Sequence, residues 1–489
     1  MSYIEGFDRN QGILIPEYLD DYVKKNDIVR VIDAYVEQLD VKKLGFGKAE
    51  PPTLGRPCYN PKDLLKLYIY GYLKGIRSSR QLEILTQNNM DVIWLMRKLS
   101  PDHKTIAEFR RNNQKPIKLV FKDFVKLCDE LDLYGKTTVA IDGTKIRANN
   151  SKKNNYNKKK INRHKKYIDE KIENYLKALD EADKTEEELK TSEMLDVKEI
   201  EEKIKSLMER KDRFEELEEQ LEESGQSEIS LVDKDARLMP IHHGHIEPGY
   251  NIQTTVDSKH KLIVDFEVIQ NPTDQGQLLN MSKRAKKRLK AKRLTVLADK
   301  GYYNYNDILG CLRRKITPYV SKQIAANSTK NKNFYADKFT YDPKKDGFIC
   351  PAGKLLNKKR KRTENKKHIG YGYGNPTECQ SCSLQTKCTT SETGRTIFRH
   401  KKQARLDRVS ITKPENFKTY RLRQTIVEHP FGTIKRSWNT NYFLTRGKKS
   451  VTAEMALTFI AYNFKRAVNI LGVEAIIEKL KDKNELVMA

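Results

Sequence analysis

The chain reads as a mixed α/β core that follows a helical segment and is interrupted by two insertions. Two observations carry most of this. The β-branched, apolar runs "TTVAI" and "LTVLA" each stop at an aspartate, Asp142 and Asp299, as buried strands closed by turn residues do. From residue 249 onward, strand patterns give way to alternating helix and strand patterns, which suits a mixed sheet.

Bulk properties bound the function. A chain of 489 residues has room for two or three domains. A net charge of +28 favours a polyanionic partner, nucleic acid first; the plainer reading is a merely Lys-rich protein. No apolar run reaches the roughly 18 residues of a membrane span. The start "MSYIEGFDRNQ" lacks a basic segment followed by an apolar one. We therefore expect no membrane association and no signal peptide. Seven cysteines, four of them bunched late, argue for a reducing compartment such as the cytoplasm and against a disulfide framework.

Residues 1–135 are expected to be helical. "NPKDLLKLYIYGYLKGI" opens with Asn60-Pro61, a helix start, and Leu64, Leu67 or Tyr68, and Leu73 can share one face. "SSRQLEILTQN" offers a second start at Ser78 or Ser79, with Glu83 near the third helical position. "SPDHKTIAEFRRNN" offers a third, with Ile106 and Phe109 inward and Arg110 and Arg111 outward. Capped short helices carrying Arg77, Arg80, Arg110 and Arg111 suit DNA contact; an ordinary bundle with a solvated basic face is the alternative.

"TTVAIDGTKIRAN" then gives a strand ended by Asp142-Gly143. Residues 136–150 and 231–320 form the first part of the core. Between them, 151–230 changes character. Ile168, Ile172, Tyr175, Leu179 and Ala182 repeat at spacings of four and three, as do Ile200, Ile204, Leu207, Lys211 and Phe214. That is a helical hairpin with a coiled-coil seam, and its acidic surface makes it a poor DNA binder. "GYNIQTTVD" and "KLIVDFEVIQ" read as a strand pair. A helix beginning at Thr273 or Asp274, the Asp299 strand, a helix near "NYNDILGCLRRK" and the strand "ITPYV" follow.

Residues 321–415 form the second interruption. Cys350, Cys379, Cys382 and Cys388 include one C-x-x-C pair and fit a tetrahedral structural zinc site; reduced structural thiols are the alternative. "NKKRKRTENKKH" between them is either a phosphate-tracking run or a solvated loop. Residues 416–489 close the core. There Thr425 to Lys435 is helix-compatible, broken by Pro430 and Gly432, with Glu428 as its carboxylate.

Asp142, Asp299 and Glu428 are far apart in sequence, yet strand ends and a covering helix can converge. Clustered carboxylates repel one another unless cations neutralise them. Oxygen ligands suit Mg²⁺, and two such ions about 3.5–4 Å apart support phosphodiester chemistry. Taken singly, a strand-end aspartate is an ordinary turn former.

"LKLYIYGYLKGIRSSRQLE", "AIDGTKIRAN", "DARLM", "GYNIQTTVD", "LADKGYYN" and "VEHPFGTIKR" together resemble bacterial insertion-sequence transposases of the DDE type over most of the chain. The resemblance implies an RNase H-like catalytic core. It makes Asp142, Asp299 and Glu428 the metal-binding triad for two Mg²⁺ or Mn²⁺ ions. It implies hydrolysis at the element ends and transfer of the 3′-hydroxyls to target DNA. Its implied partners are double-stranded DNA (the terminal inverted repeats and the target) and a second chain in a synaptic homodimer, at the bacterial nucleoid. Lys435, seven residues after Glu428, matches a DNA-contacting lysine, and Lys300 joins it beside Asp299. The family pattern places a tyrosine and an arginine seven and four residues before the glutamate. Arg421 and Gln424 stand there instead, with Tyr420 and Arg423 one step off. A nuclease without strand transfer, and a domesticated DNA-binding protein that has lost catalysis, are the rival readings.

Overall fold

The computed structural model describes residues 18–488 apart from 52, 54–56, 186–192, 242–243, 323, 325 and 365–366; side chains of 178–185, 193–197, 367 and 483–488 are also left out. Six helices come first: α1 (Ile28–Glu37), α2 (Pro61–Leu73), α3 (Ser79–Asn88), α4 (Met90–Leu95), α5 (His103–Asn112) and α6 (Gln114–Glu130). Local chemistry sets their starts. Asn60 caps α2 by accepting from the Lys62 amide at 2.9 Å, ahead of Pro61, and Asp102 caps α5 through the Thr105 amide at 2.7 Å. No capping box forms at Ser78; Glu83 instead accepts from or shares a proton with His103 Nδ1 at 2.9 Å.

The expected single apolar face of α2 is in fact a helix buried almost all round. The reason lies at the far end of the chain. Helix α15 (Lys448–Leu471), itself buried over most of its length, packs against α2 and α6. One buried cluster therefore runs from Val23 through the sheet to Leu480, without a break near residue 135.

The sheet consists of β1 (Thr138–Arg147), β4 (Arg237–Pro240), β5 (Ile246–Asp257), β6 (Ile263–Ile269), β7 (Leu294–Ala298) and β8 (Ile316–Val320). Strand β5 lies antiparallel to β1 on one side and to β4 and β6 on the other. Strands β7 and β8 extend the sheet in parallel beyond β1. Helices α9 (Leu278–Arg288) and α10 (Tyr305–Leu312) make the crossovers. Helix α9 begins at Leu278, later than the start at Thr273 or Asp274 that the sequence suggested, which leaves both in a loop.

Between β1 and β4 stand β2 (Asn155–Asn157), α7 (Lys158–Thr185), α8 (Glu193–Ser224) and β3 (Glu228–Ser230). β2 and β3 pair as a short antiparallel ribbon at the root of the hairpin. Ile161, Ile168, Phe214, Leu217 and Leu221 form a small core of their own, so the seam continues past Phe214 toward the root. Lys211 does not merely interrupt it: its ammonium meets Asp169 at 2.7 Å across the hairpin. The side chains of Leu179 and Ala182 lie outside the described residues.

A second sheet, β9 (Thr340–Asp342), β10 (Gly347–Ile349), β11 (Leu355–Glu364), β12 (Lys367–Gly374) and β13 (Ile397–His400), is fully antiparallel. The basic run "NKKRKRTE" is thus strand and not loop. The short helices α11 (Pro376–Gln380) and α12 (Gln385–Cys388) stand between β12 and β13, and α13 (Gln403–Arg408) follows the sheet. Helix α14 (Pro414–Phe431) follows and continues through Pro430 into a π-helical turn, Gly432–Ser437; α16 (Val473–Met488) ends the chain. No helix among the described residues is long and apolar enough to cross a membrane.

Candidate active site

Asp142 does not end its strand. β1 continues to Arg147 because Gly143 to Arg147 keep pairing with Gln253 to Gly249 of β5. The Asp142 carbonyl accepts from Thr254 Oγ1 at 3.1 Å, and its carboxylate from the Gly143 amide at 3.1 Å. Asp299 does follow the last residue of β7, and its Oδ1 accepts from the Gly301 amide at 2.8 Å, an Asx turn that fixes the loop. The parallel register pairs Ala140 with Leu297. Two residues further along each chain are Asp142 and Asp299, so the register brings the two carboxylates to neighbouring positions.

A third acid, Asp274, joins them. Its Oδ1 accepts from Asn251 Nδ2 at 2.8 Å and Gln253 Nε2 at 2.7 Å, and Tyr302 Oη donates to Gln253 Oε1 at 2.6 Å. Asn251, Gln253 and Tyr302 are fully buried. A Cβ on Gly143 would run into Asp274 Oδ1 and the Gln253 amide, so only glycine leaves room for this network. Asp274 was missed in the sequence, where it looked like a helix cap. The available signal was the alternation of Asn251 and Gln253 on one strand face, since buried amides need acceptors.

Burial pushes the Asp142 carboxyl up to about 6; Arg423 pulls it back, and Asp299 and Asp274 push it further. Arg423 comes from α14, which lies across β1, β7 and β8. Its Nε is buried without a hydrogen-bond partner among the described residues. Lys435, in the π turn, donates to the Lys145 carbonyl at 3.4 Å; burial holds its ammonium below the usual range, while Asp142 pulls the other way. Glu428 is exposed on α14 and accepts from Gln424 Nε2 at 2.8 Å. Five residues separate it from Arg423, about 140° around a helix of 3.6 residues per turn, so the two cannot share a direction. The structure thus gathers Asp142, Asp299, Asp274, Arg423 and Lys435, with Glu428 on the same covering helix but turned aside.

Among the described residues, no three His, Cys, Asp or Glu side chains are grouped tightly enough to hold a metal ion. The Asp142–Asp299 pair still fits a hard divalent cation. Mg²⁺ is held through one or two carboxylates together with substrate phosphates, and a buried carboxyl pushed up by its acidic neighbours is one that a cation would help to ionise.

The other expected site residues divide. Arg77 and Arg110 are buried and do not face outward. Arg77 Nη1 donates to Glu454 Oε1 at 3.1 Å and to the Tyr442 carbonyl at 2.8 Å. Arg110 Nη1 donates to Tyr72 Oη at 3.1 Å and to the Arg77 carbonyl at 3.3 Å. Arg77 joins the N-terminal helices to α15, and Arg110 ties α5 to α2 and the loop that follows it, so both guanidinium groups are spent inside the fold. Arg80, Arg111 and Lys300 are exposed, and Tyr420 is half-buried beside Phe417. Cys350, Cys379, Cys382 and Cys388 are free thiols lining one cavity of about 30 Å³. Burial raises the Cys388 thiol. They converge without forming a metal-holding group.

Residues 17–112 match a transposase domain (DUF772), and residues 349–468 match a transposase DDE domain. The second match contains Glu428, Arg423, Lys435 and the four cysteines, but neither Asp142 nor Asp299. No curated protein and no solved structure matches the chain. A transposase domain near one end and a transposase DDE domain near the other together support an insertion-sequence transposase of the DDE type.

Proposed function

We propose that this chain cuts the ends of an insertion sequence and joins the freed 3′-hydroxyls to target DNA, in a core of RNase H-like design. The observation that carries the reading is the parallel register of β1 and β7, which sets Asp142 beside Asp299 beneath the helix that bears Glu428. Three strands in antiparallel succession followed by two parallel ones, with helical crossovers, support the RNase H-like assignment.

In this reading Asp142 and Asp299, with Glu428 from the covering helix, would hold divalent metal, Mg²⁺ or Mn²⁺. The metal, when bound, supplies Lewis acidity for attack at phosphorus. The chain's own groups do the rest. The buried amides of Asn251 and Gln253 hold Asp274, and with it the glycine backbone behind Asp142. Arg423 and Lys435 bring positive charge to where a scissile phosphate would sit. Lys300, Tyr420, Arg80 and Arg111 offer further DNA contacts. No covalent protein–DNA intermediate is required, so water and then the 3′-hydroxyl serve as the nucleophiles. A homodimer would supply one site per element end. A structural zinc at the four cysteines would require them to draw closer together than they stand here.

A strand-transfer assay with labelled element ends tests this. Wild type should yield joined products in Mg²⁺, and Asp299→Ala none. Cleavage without joining would mark a nuclease instead. DNA binding with no metal-dependent cleavage at all would mark a chain that only binds.

A further inference from the structure

We infer that the open cleft at the root of the α7–α8 hairpin is a docking site for the phosphate backbone of double-stranded DNA. This rests on the transposase reading and adds a location to it. The hairpin looked too acidic for DNA in sequence, and along α8 it is. At its root the charge is reversed.

Lys152, Lys153, Lys159, Lys160 and Arg163 line the cleft, which encloses about 750 Å³, and no Asp or Glu among the described residues lines it. Lys160 builds the site rather than offering itself to a ligand. Its ammonium donates to the carbonyls of Lys152 at 3.2 Å, Lys153 at 2.8 Å and Asn155 at 2.8 Å, holding the turn 152–154 against the first turn of α7. Lys152, Lys153, Lys159 and Arg163 are exposed. Among the described residues none of the four makes an ion pair. Their neighbours do: Lys158 meets Glu222 at 2.8 Å and Lys165 meets Glu218 at 3.1 Å. The acids of α8 are therefore used on the flanks, and the cleft is left positive. Lys159 and Arg163 stand four apart on one helix, an arrangement that costs stability unless an anion relieves it. The Lys160 ammonium and the nearby His164 imidazole are both held low by burial and by surrounding cations.

Position argues for duplex DNA over a small anion. β1 runs from Asp142 to Arg147, five residues at about 3.3 Å each, roughly 17 Å. The cleft lies beyond that end of the strand. At about 3.4 Å per base pair, a duplex cut at Asp142 would reach the cleft some five or more base pairs inside the end. Lysines on flexible stems track phosphates as point charges without reading bases.

The test uses the full-length protein and a duplex carrying an element end. One variant combines Lys152→Ala, Lys153→Ala, Lys159→Ala and Arg163→Ala. The control removes the same charge further out on the hairpin with Lys171→Ala, Lys198→Ala, Lys205→Ala and Arg213→Ala. Each phosphate contact contributes about 0.9 to the slope of log affinity against log salt. The root variant should flatten that slope by about 2–4, with an unchanged circular dichroism spectrum and melting temperature, while the control keeps the wild-type slope. Equal flattening in both would reduce the effect to net charge and overturn the proposal, as would a root variant with the wild-type slope. A root variant that loses self-association and keeps its DNA affinity would assign the cleft to an acidic protein face instead. Wild type failing to bind the duplex at all would sink the transposase reading itself, a result separate from all of these.

Discussion

Asp142 on β1 and Asp299, the residue just past β7, each stand two residues beyond the paired Ala140 and Leu297 of adjacent parallel strands. The sheet therefore forces two carboxylates together whether or not anything neutralises them. Burial, with the neighbouring Asp299 carboxylate adding to it, raises the Asp142 carboxyl from 3.8 to about 6. A raised carboxyl binds its proton more tightly in the folded state, so it does not weaken folding below about pH 4. The cost appears as pH rises and is complete above about 6. Asp142→Asn removes the cost. Without divalent metal, the variant should be more stable than wild type at pH 7–8 by up to about 3 kcal/mol, with the gap closing toward pH 4. Denaturant midpoints across this range check it, and a pH-independent gap would contradict it. Added Mg²⁺ should stabilise wild type and leave the variant nearly unmoved.

The buried arginines make a contrast with the exposed ones. Arg77 pairs with Glu454, which is fully buried and also accepts from the Leu444 and Thr445 amides at 3.1 Å. Arg77→Ala strands that carboxylate and should cost about 3–5 kcal/mol. The DNA affinity of the folded fraction should be unchanged. Arg80→Ala with Arg111→Ala should do the opposite: stability within about 0.5 kcal/mol, with DNA affinity lowered and less salt-dependent. Thermal melts and filter binding on the same samples separate the two. A DNA defect in Arg77→Ala at full folding would return that residue to the interface.

What the sequence made readable follows from how local each signal was. Strand β7 and Asp299 were readable because an apolar run and an Asx turn are decided within a few residues. The caps at Asn60 and Asp102 were readable for the same reason. The continuation of β1 past Asp142 was not, since Asp-Gly looks like a turn until the partner strand β5 supplies its hydrogen bonds. Arg110 read as outward because helical spacing fixes only the angle between residues. Which side is inside was decided by the packing of α5 against α2, α3, α6 and the distant α15. Asp274 escaped because its partners, Asn251 and Gln253, belong to a strand whose own pattern looked complete. Glu428 was found by resemblance, and its position turned away from Asp142 is a property of α14 that no local pattern records.

The four cysteines give a compositional prediction. Each stands at the edge of a short element, and the cavity they share is walled by Phe339 and Leu356. Protein purified without added metal should carry about one zinc, following the four-ligand rule. Replacing Cys382 with serine should release it and lower the melting temperature of the second sheet's transition. A folded, active preparation free of zinc would leave the four as plain thiols.

The hairpin can be divided experimentally because its contacts are divided. Its small core of Ile161, Ile168, Phe214, Leu217 and Leu221 is separate from the main cluster. The ribbon of β2 and β3, with Asn150 Nδ2 donating to Asn155 Oδ1 at 2.8 Å and to Ser230 Oγ at 2.6 Å, closes its root. Replacing residues 173–206 with a short Gly/Ser linker keeps that core and the basic cleft. This variant should retain wild-type stability of the main fold and the wild-type salt slope. Replacing 160–225 removes the core, Lys160 and Arg163. The main fold and its metal binding should survive, because no residue of the main cluster is lost, and a pre-nicked end should still be cut. The salt slope should flatten, since the turn at 152–154 loses the ammonium that holds it. If the longer replacement fails to fold while the shorter one folds, the hairpin root is part of the catalytic core rather than an appendage of it. If both fold and both keep the wild-type slope, the root contributes nothing to DNA binding.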